Sequence, residues 1–152
     1  SSVDQLSPCA PAALLVVNVM PFVDFSHIAR EWRCKFSADS DNASLMAAQA
    51  KLEEILADVS SIEGVVSVQR VVCGGCLDFK VVTKLTKAAF ADWEKAGFAP
   101  EGDFLDALKA IPGISNIETQ TYTLEDVKMN KKDCKKAQEK KEKEQAEKPK
   151  DE

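Results

Sequence analysis

The chain has 152 residues, 45% of them hydrophobic and 30% charged, with a formal net charge of −5. That length suits one domain with a tail and is enough to bury a core. Residues 1–127 carry 10 Lys/Arg against 18 Asp/Glu, while 128–152 carry 10 Lys against 7 Asp/Glu, and an acidic body argues against a nucleic-acid-binding face. 

No apolar run reaches the roughly 18 residues that a membrane helix needs, so no membrane span is expected. No basic region precedes an apolar stretch, so no signal peptide is expected. The five cysteines are odd in number and sparse. That pattern points to free thiols in a reducing intracellular compartment, cytoplasm or organelle, rather than to a disulfide scaffold.

In chain order, residues 1–12 read as an irregular lead-in, because Pro8 and Pro11 exclude regular structure. Ala13–Met20 is almost wholly apolar, as for a central strand covered on both faces, and Pro21 ends it. Residues 22–42 read as an insertion. Leu14 lies 50 residues before Gly64, whereas Leu77 lies 36 before Gly113. A helix is expected from about Ala43 to Val59, with Leu45, Leu52, Ile55, Leu56 and Val59 on one face. Asp39-Ser40-Asp41-Asn42 supplies its start. A strand follows at Val65–Val72, a turn at Gly74-Gly75, and a period-two strand at Leu77–Leu85. A second helical region is broken. One piece is capped by Thr86 and stopped by Gly97, and the other restarts at Pro100 and ends at Pro112-Gly113. The last strand is about Ser115–Leu124. Residues 128–152 form a Lys/Glu tail, helical or disordered.

One pattern recurs. Ile62-Glu63-Gly64-Val65-Val66 and Ile111-Pro112-Gly113-Ile114-Ser115 each follow a helical stretch and open a strand. A doubled strand–helix–strand unit over residues 13–127 predicts a ferredoxin-like βαββαβ domain. Such a domain is an antiparallel sheet with both helices on one face. The fold hosts many unrelated functions, so function has to be read from side chains.

The sharpest local chemistry is Cys73-Gly74-Gly75-Cys76. A CxxC pair can hold a soft metal or cycle between dithiol and disulfide. The first reading is a plain turn between two strands, with the thiols reduced and metal-free, since the residues after Cys76 are strand-like rather than helical; a metal or redox role is the second. His27, the only histidine, has no nucleophile at a recognisable spacing, so no catalytic residue is assigned. Trp32 and Phe36 either cover one end of the core or form a contact patch for a ligand or partner. No cofactor is indicated.

From Val65 to Lys128 the chain resembles the RAM domain of Lrp/AsnC-type regulators. The resemblance rests on the turn Gly75-Cys76-Leu77-Asp78, the junction Ile111-Pro112-Gly113-Ile114 and the Thr-rich strand Glu118–Leu124. It implies a dimeric α+β barrel that holds a small ligand, with Gly75, Asp78, Thr119 and Thr121 as candidate contacts beside Trp32 and Phe36. Leu14–Phe22 is similar to a strand of the nucleotide-exchange domain of the eukaryotic elongation factor one beta subunit. The resulting expectation is a non-enzymatic, homodimeric protein that binds a small ligand or a protein partner. Its alternatives are an exchange-factor-like module and a structural accessory subunit.

Overall fold

A computed structural model describes residues 23–127 and positions 135–136, 139–140, 142–143 and 146; these last positions are helical and exposed. Residues 23–127 form β1 (His27–Lys35), α1 (Asp39–Ser60), β2 (Val65–Cys73), β3 (Asp78–Thr86), α2 (Lys87–Lys95), α3 (Glu101–Lys109) and β4 (Ser115–Leu124). The four strands make one sheet in the order β2-β3-β1-β4, every neighbouring pair antiparallel. This is the expected ferredoxin-like βαββαβ arrangement, with the helices on one face.

Alternation along the strands sorts the side chains. On β1, Ile28, Arg30, Trp32 and Cys34 point toward the helices, opposite Leu85, Thr83, Val81 and Phe79 of β3. The aromatic partners of Trp32, Trp93 on α2 and Phe104 on α3, fix this as the helix side. The core lies here: Trp32, Phe79, Phe90, Phe104 and Leu108 are each about 1% exposed or less. The opposite face is polar. It carries Glu31, Arg33 and Lys35 from β1 and Asp78, Lys80 and Lys84 from β3. Arg33 and Glu118 pair at 2.6 Å, as do Lys35 and Asp78. Those bonds hold Asp78 below the usual carboxylate range and raise Lys35.

The first strand corrects the sequence reading. The strand expected at Leu14–Met20 lies outside the described residues. The segment 22–42, expected as an insertion, supplies β1 and the start of α1. Its period of two is masked because Arg30, a charged residue, takes an inward position, while Ala29 on the outward side is buried. Counted from the first residue of each strand, Gly64 follows His27 by 37 residues and Gly113 follows Asp78 by 35. The two halves are therefore nearly equal, and no insertion is needed.

Other expectations hold. Gly64 (φ +81°) and Gly113 (φ +91°) occupy equivalent helix–strand junctions. In each, an amide closes a tight turn, Val65 N–H to the Ile62 carbonyl at 3.2 Å and Ile114 N–H to the Ile111 carbonyl at 3.3 Å. Only a residue without Cβ adopts such a φ freely. The second helix is broken as expected, with Gly97 and Phe98 both at positive φ and a cis Ala99–Pro100 bond between α2 and α3. In α1, Ser40, Asp41 and Asn42 lie in the left-handed region, so the regular helix starts at Ala43. Short polar side chains tolerate that region best. Leu56, expected on the buried face, is 40% exposed.

Candidate functional site

The break between α2 and α3 folds four aromatic rings over the helix side of the sheet. Phe90 and Trp93 come from α2, Phe98 from the break and Phe104 from α3. Trp93 meets Phe98 edge-on at 5.1 Å between centroids and Trp32 at 6.2 Å; Trp32 meets Phe104 at 5.3 Å. The Trp93 indole N–H donates to the Ala99 carbonyl at 2.9 Å. That bond ties the helix to the strained residues of the break.

A charged group sits inside this aromatic wall. Arg30 binds Glu101 through two parallel bonds, Nε to Oε2 at 2.8 Å and Nη2 to Oε1 at 2.9 Å. Arg30 also donates to the Thr121 hydroxyl at 3.0 Å, and its guanidinium lies 4.1 Å from the Phe98 ring centroid. The Trp32 indole donates to the same Glu101 carboxylate at 2.6 Å. The side chains of Arg30 and Glu101 are each only 13% exposed. Burying such a pair costs desolvation that packed hydrophobic residues avoid. It therefore adds little net stability, and its value lies in fixing geometry: the fork-to-fork bond holds Trp32, the start of α3 and β4 in one arrangement.

Beside this cluster lies a cleft of about 500 Å³, lined by Ile62, Glu63, Gly64, Thr86, Asp92, Trp93 and the alanines 88, 89, 96 and 99. A second cleft, of about 430 Å³, is lined by Ser37, Asp39, Ser40, Ser44, Ile111, Pro112 and Gly113, with Ala43 and Ala47. The two clefts are built on the two equivalent junctions. The Trp93 cleft offers an aromatic wall, the Thr86 hydroxyl and two carboxylates, Glu63 and Asp92. A third, of about 450 Å³, runs between α1 and β2 past Met46, Gln49 and Arg70.

Trp32 and Phe36, candidates for a contact patch, are buried at 1% and 4% exposure, because strand alternation turns both inward. Thr121 joins the Arg30 cluster; Thr119 lies beside Trp32 on edge strand β4 and is exposed. Gly75 and Asp78 lie at the β2–β3 hairpin, some distance along the chain from the aromatic wall. Cys73 ends the strand before that turn and Cys76 lies within it, both as free thiols. Among the described residues no cluster of three or more His, Cys, Asp and Glu is arranged to hold a metal ion. No described helix is long and apolar enough to cross a membrane. Sequence reasoning missed Arg30 and Glu101. The signal available was a glutamate directly after Pro100, three residues before a periodic apolar face, but nothing in the sequence pairs it with a residue 71 positions away.

No protein-family profile matches the chain, and no curated protein matches it. Solved structures share its fold. A monooxygenase from the gene ActVA-Orf6 of Streptomyces coelicolor, in complex with the ligand nanaomycin D, aligns at TM-score 0.51 and 12% identity. The alignment covers 70% of this chain and 93% of that one. Rv0793 of Mycobacterium tuberculosis aligns at TM-score 0.46 and 12% identity, over 68% and 100% of the two chains. The likeness to the monooxygenase shows the fold. It also corrects the expectation of a non-enzymatic binding protein, exchange module or accessory subunit. That expectation rested on fold-level likeness to such proteins, and the same fold is here found in a ligand-bound monooxygenase.

Proposed function

We propose that the chain is an enzymatic, small-molecule-binding domain of the monooxygenase-like kind, and that its ligand is a planar, hydroxyl-bearing aromatic compound held in the Trp93 cleft. One observation carries this reading. A cleft of about 500 Å³, within the range of roughly 300–1,000 Å³ for small-molecule sites, has a wall whose indole is tied to the Ala99 carbonyl in the same lining and backed by the Arg30–Glu101–Trp32 cluster. Trp93 is 4% exposed, so the ligand meets only the open margin of its ring, at the floor of the cleft. Glu63 and Asp92, at the rim, accept the proton of a ligand hydroxyl, which makes the ring electron-rich and readier to give up electrons to oxygen.

The test uses a hydroxynaphthoquinone as probe for binding and its reduced form as probe for turnover. Quenching of tryptophan fluorescence should saturate with the quinone. Oxygen uptake with the reduced form should exceed the protein-free rate, and should fall at least tenfold in a Glu63→Gln/Asp92→Asn double variant. Unsaturable quenching, together with oxygen uptake equal to the protein-free rate, overturns the proposal.

Two finer expectations belong with this reading. The helices cover one face of the sheet and leave the other open, and a second copy packing on that face as a two-fold homodimer is the simplest cover. Sedimentation giving the mass of a single chain at micromolar concentration would remove the dimer. The sparse cysteines, of which Cys34, Cys73 and Cys76 are free thiols among the described residues, support a reducing compartment.

A further inference from the structure

The β2–β3 turn carries chemistry that the Trp93 cleft does not use. Cys73 is the last residue of β2 and pairs in register with Asp78, the first of β3. The four residues between them, Gly74 to Leu77, form the turn. Cys73 and Cys76 thus occupy positions i and i+3 of a tight bend. Such a bend brings their Cα atoms within about 7 Å, close to the span that a disulfide bridges. The Cys76 backbone N–H already points at the Cys73 sulfur, at 3.2 Å.

The far side of the turn is anchored. Phe36 N–H donates to the Leu77 carbonyl at 2.9 Å, and the Lys35 ammonium donates to the Cys76 carbonyl at 2.9 Å. Leu77 takes a positive φ of +58° and packs against the core. A bulky side chain in that region is strained, and its packing is what holds it there. The near side is open: a Cβ built on Gly74 or Gly75 meets nothing within 4 Å. Cys73 is partly exposed and Cys76 exposed.

From this geometry we infer that the hairpin tip is a thiol–disulfide exchange site, with Cys73 as the attacking sulfur and Cys76 as the resolving one, reacting with a small disulfide that approaches over Gly74-Gly75. The Cys73 thiolate attacks one sulfur of the disulfide. A Cys73 mixed disulfide forms and one thiolate leaves. The Cys76 sulfur, giving up its proton, then attacks the Cys73 sulfur. The Cys73–Cys76 bond forms, and a second thiol leaves carrying that proton. The two protein thiols lose two electrons and the external disulfide gains them.

The charged groups facing the pair agree with these roles. A hydrogen bond from the Cys76 thiol, with backbone N–H groups of Cys76 and Gly75, holds Cys73 below the ordinary thiol value, against the opposing charge of Asp78. The same contact raises Cys76, although Lys35 pulls it down. Cys34, in the core, is a different kind of thiol: burial, with help from Asp78, pushes it up to about 11, so it stays inert.

The test treats the intact protein with glutathione disulfide and maps thiols by peptide mass. The expected product is a 71–80 peptide lighter by two hydrogens, and reversal by dithiothreitol. In a Cys76→Ser variant the reaction should stop at glutathione on Cys73. Alkylation of the unaltered protein at neutral pH, which needs no variant, should label Cys73 several-fold faster than Cys76. A wild-type protein that forms no Cys73–Cys76 bond, or that labels Cys76 as fast as Cys73, overturns the inference. This outcome is independent of ligand binding at Trp93.

Discussion

The two helix–strand junctions are built alike and used differently. At the first, Gly64 packs under the start of α2, so closely that a Cβ there would lie 2.1 Å from that of Ala89. At the second, Gly113 packs under the start of α1, with Ser44 and Ser37 at 3.2 and 3.3 Å. Each junction is thus covered by the helix of the other half. Beyond that point the symmetry stops. The Gly113 side is lined by serines that bond to one another, Ser37 N–H to the Ser44 hydroxyl at 2.9 Å. The Gly64 side is backed by Trp93 and, behind it, by the buried ion pair. A repeat that preserves the backbone turn while changing what stands behind it locates the specialised junction.

The largest effect that would break this comparison comes from the pair behind Trp93, which joins Arg30 of the first half to Glu101 of the second. Glu101→Ala strands Arg30 in a mostly buried place and removes the acceptor of the Trp32 indole. Chemical unfolding should show a loss of about 3–4 kcal/mol. A combined Arg30→Met/Glu101→Leu change should recover most of it, because packed apolar groups replace a buried pair with little cost. A loss under about 1 kcal/mol for Glu101→Ala would mean that the cluster is solvated.

Next come the glycines themselves. Gly64→Ala adds a clash to an unfavourable φ and should cost about 2–4 kcal/mol. Gly113→Ala meets looser contacts and should cost about 1–2 kcal/mol. Equal costs, measured side by side by thermal or urea denaturation, would show that backbone strain alone sets both values and that the close approach to Ala89 relaxes.

The smallest effect concerns the open face, which the two halves share. Tyr122 is the only tyrosine. Burial, with the charge of Glu31 and a 3.4 Å contact to it, pushes its hydroxyl up to about 12. Absorbance titration should follow that value in the folded protein and about 10 in urea. The unfolded chain releases this proton first. Stability from Tyr122 is therefore present below about pH 10 and is lost as pH rises toward about 12. Glu31→Gln should lower the folded midpoint; an unchanged midpoint would leave burial as its sole cause.

Much of this was legible. The two Ile-x-Gly-Val/Ile turns, the break after Gly97 and the strand over Ser115–Leu124 follow from local chemistry, because glycine and proline constrain φ whatever surrounds them. The first strand was not legible. The apolar run Leu14–Met20 reads as the stronger strand, while His27–Lys35 places an arginine inward where periodicity expects an apolar residue. That arginine is satisfied by Glu101 and Thr121, far along the chain, and no local pattern reports a partner at that distance. Trp32 and Phe36 stand out in the sequence, yet the side of the sheet they face depends on register, which the pairing of β1 with β3 and β4 reveals.

The central claim is that a planar ligand lies against Trp93 rather than elsewhere. The chain has two tryptophans, so a nitrogen–proton correlation spectrum holds two indole signals, separable by a Trp93→Phe variant. On addition of a hydroxynaphthoquinone, the Trp93 indole signal and the amides of Gly64, Thr86 and Ala89 should shift in a saturable way, with the Trp32 signal moving much less. Saturable shifts confined to amides of the open sheet face or of the Ser37–Gly113 cleft, or no saturable shift at all, would contradict it.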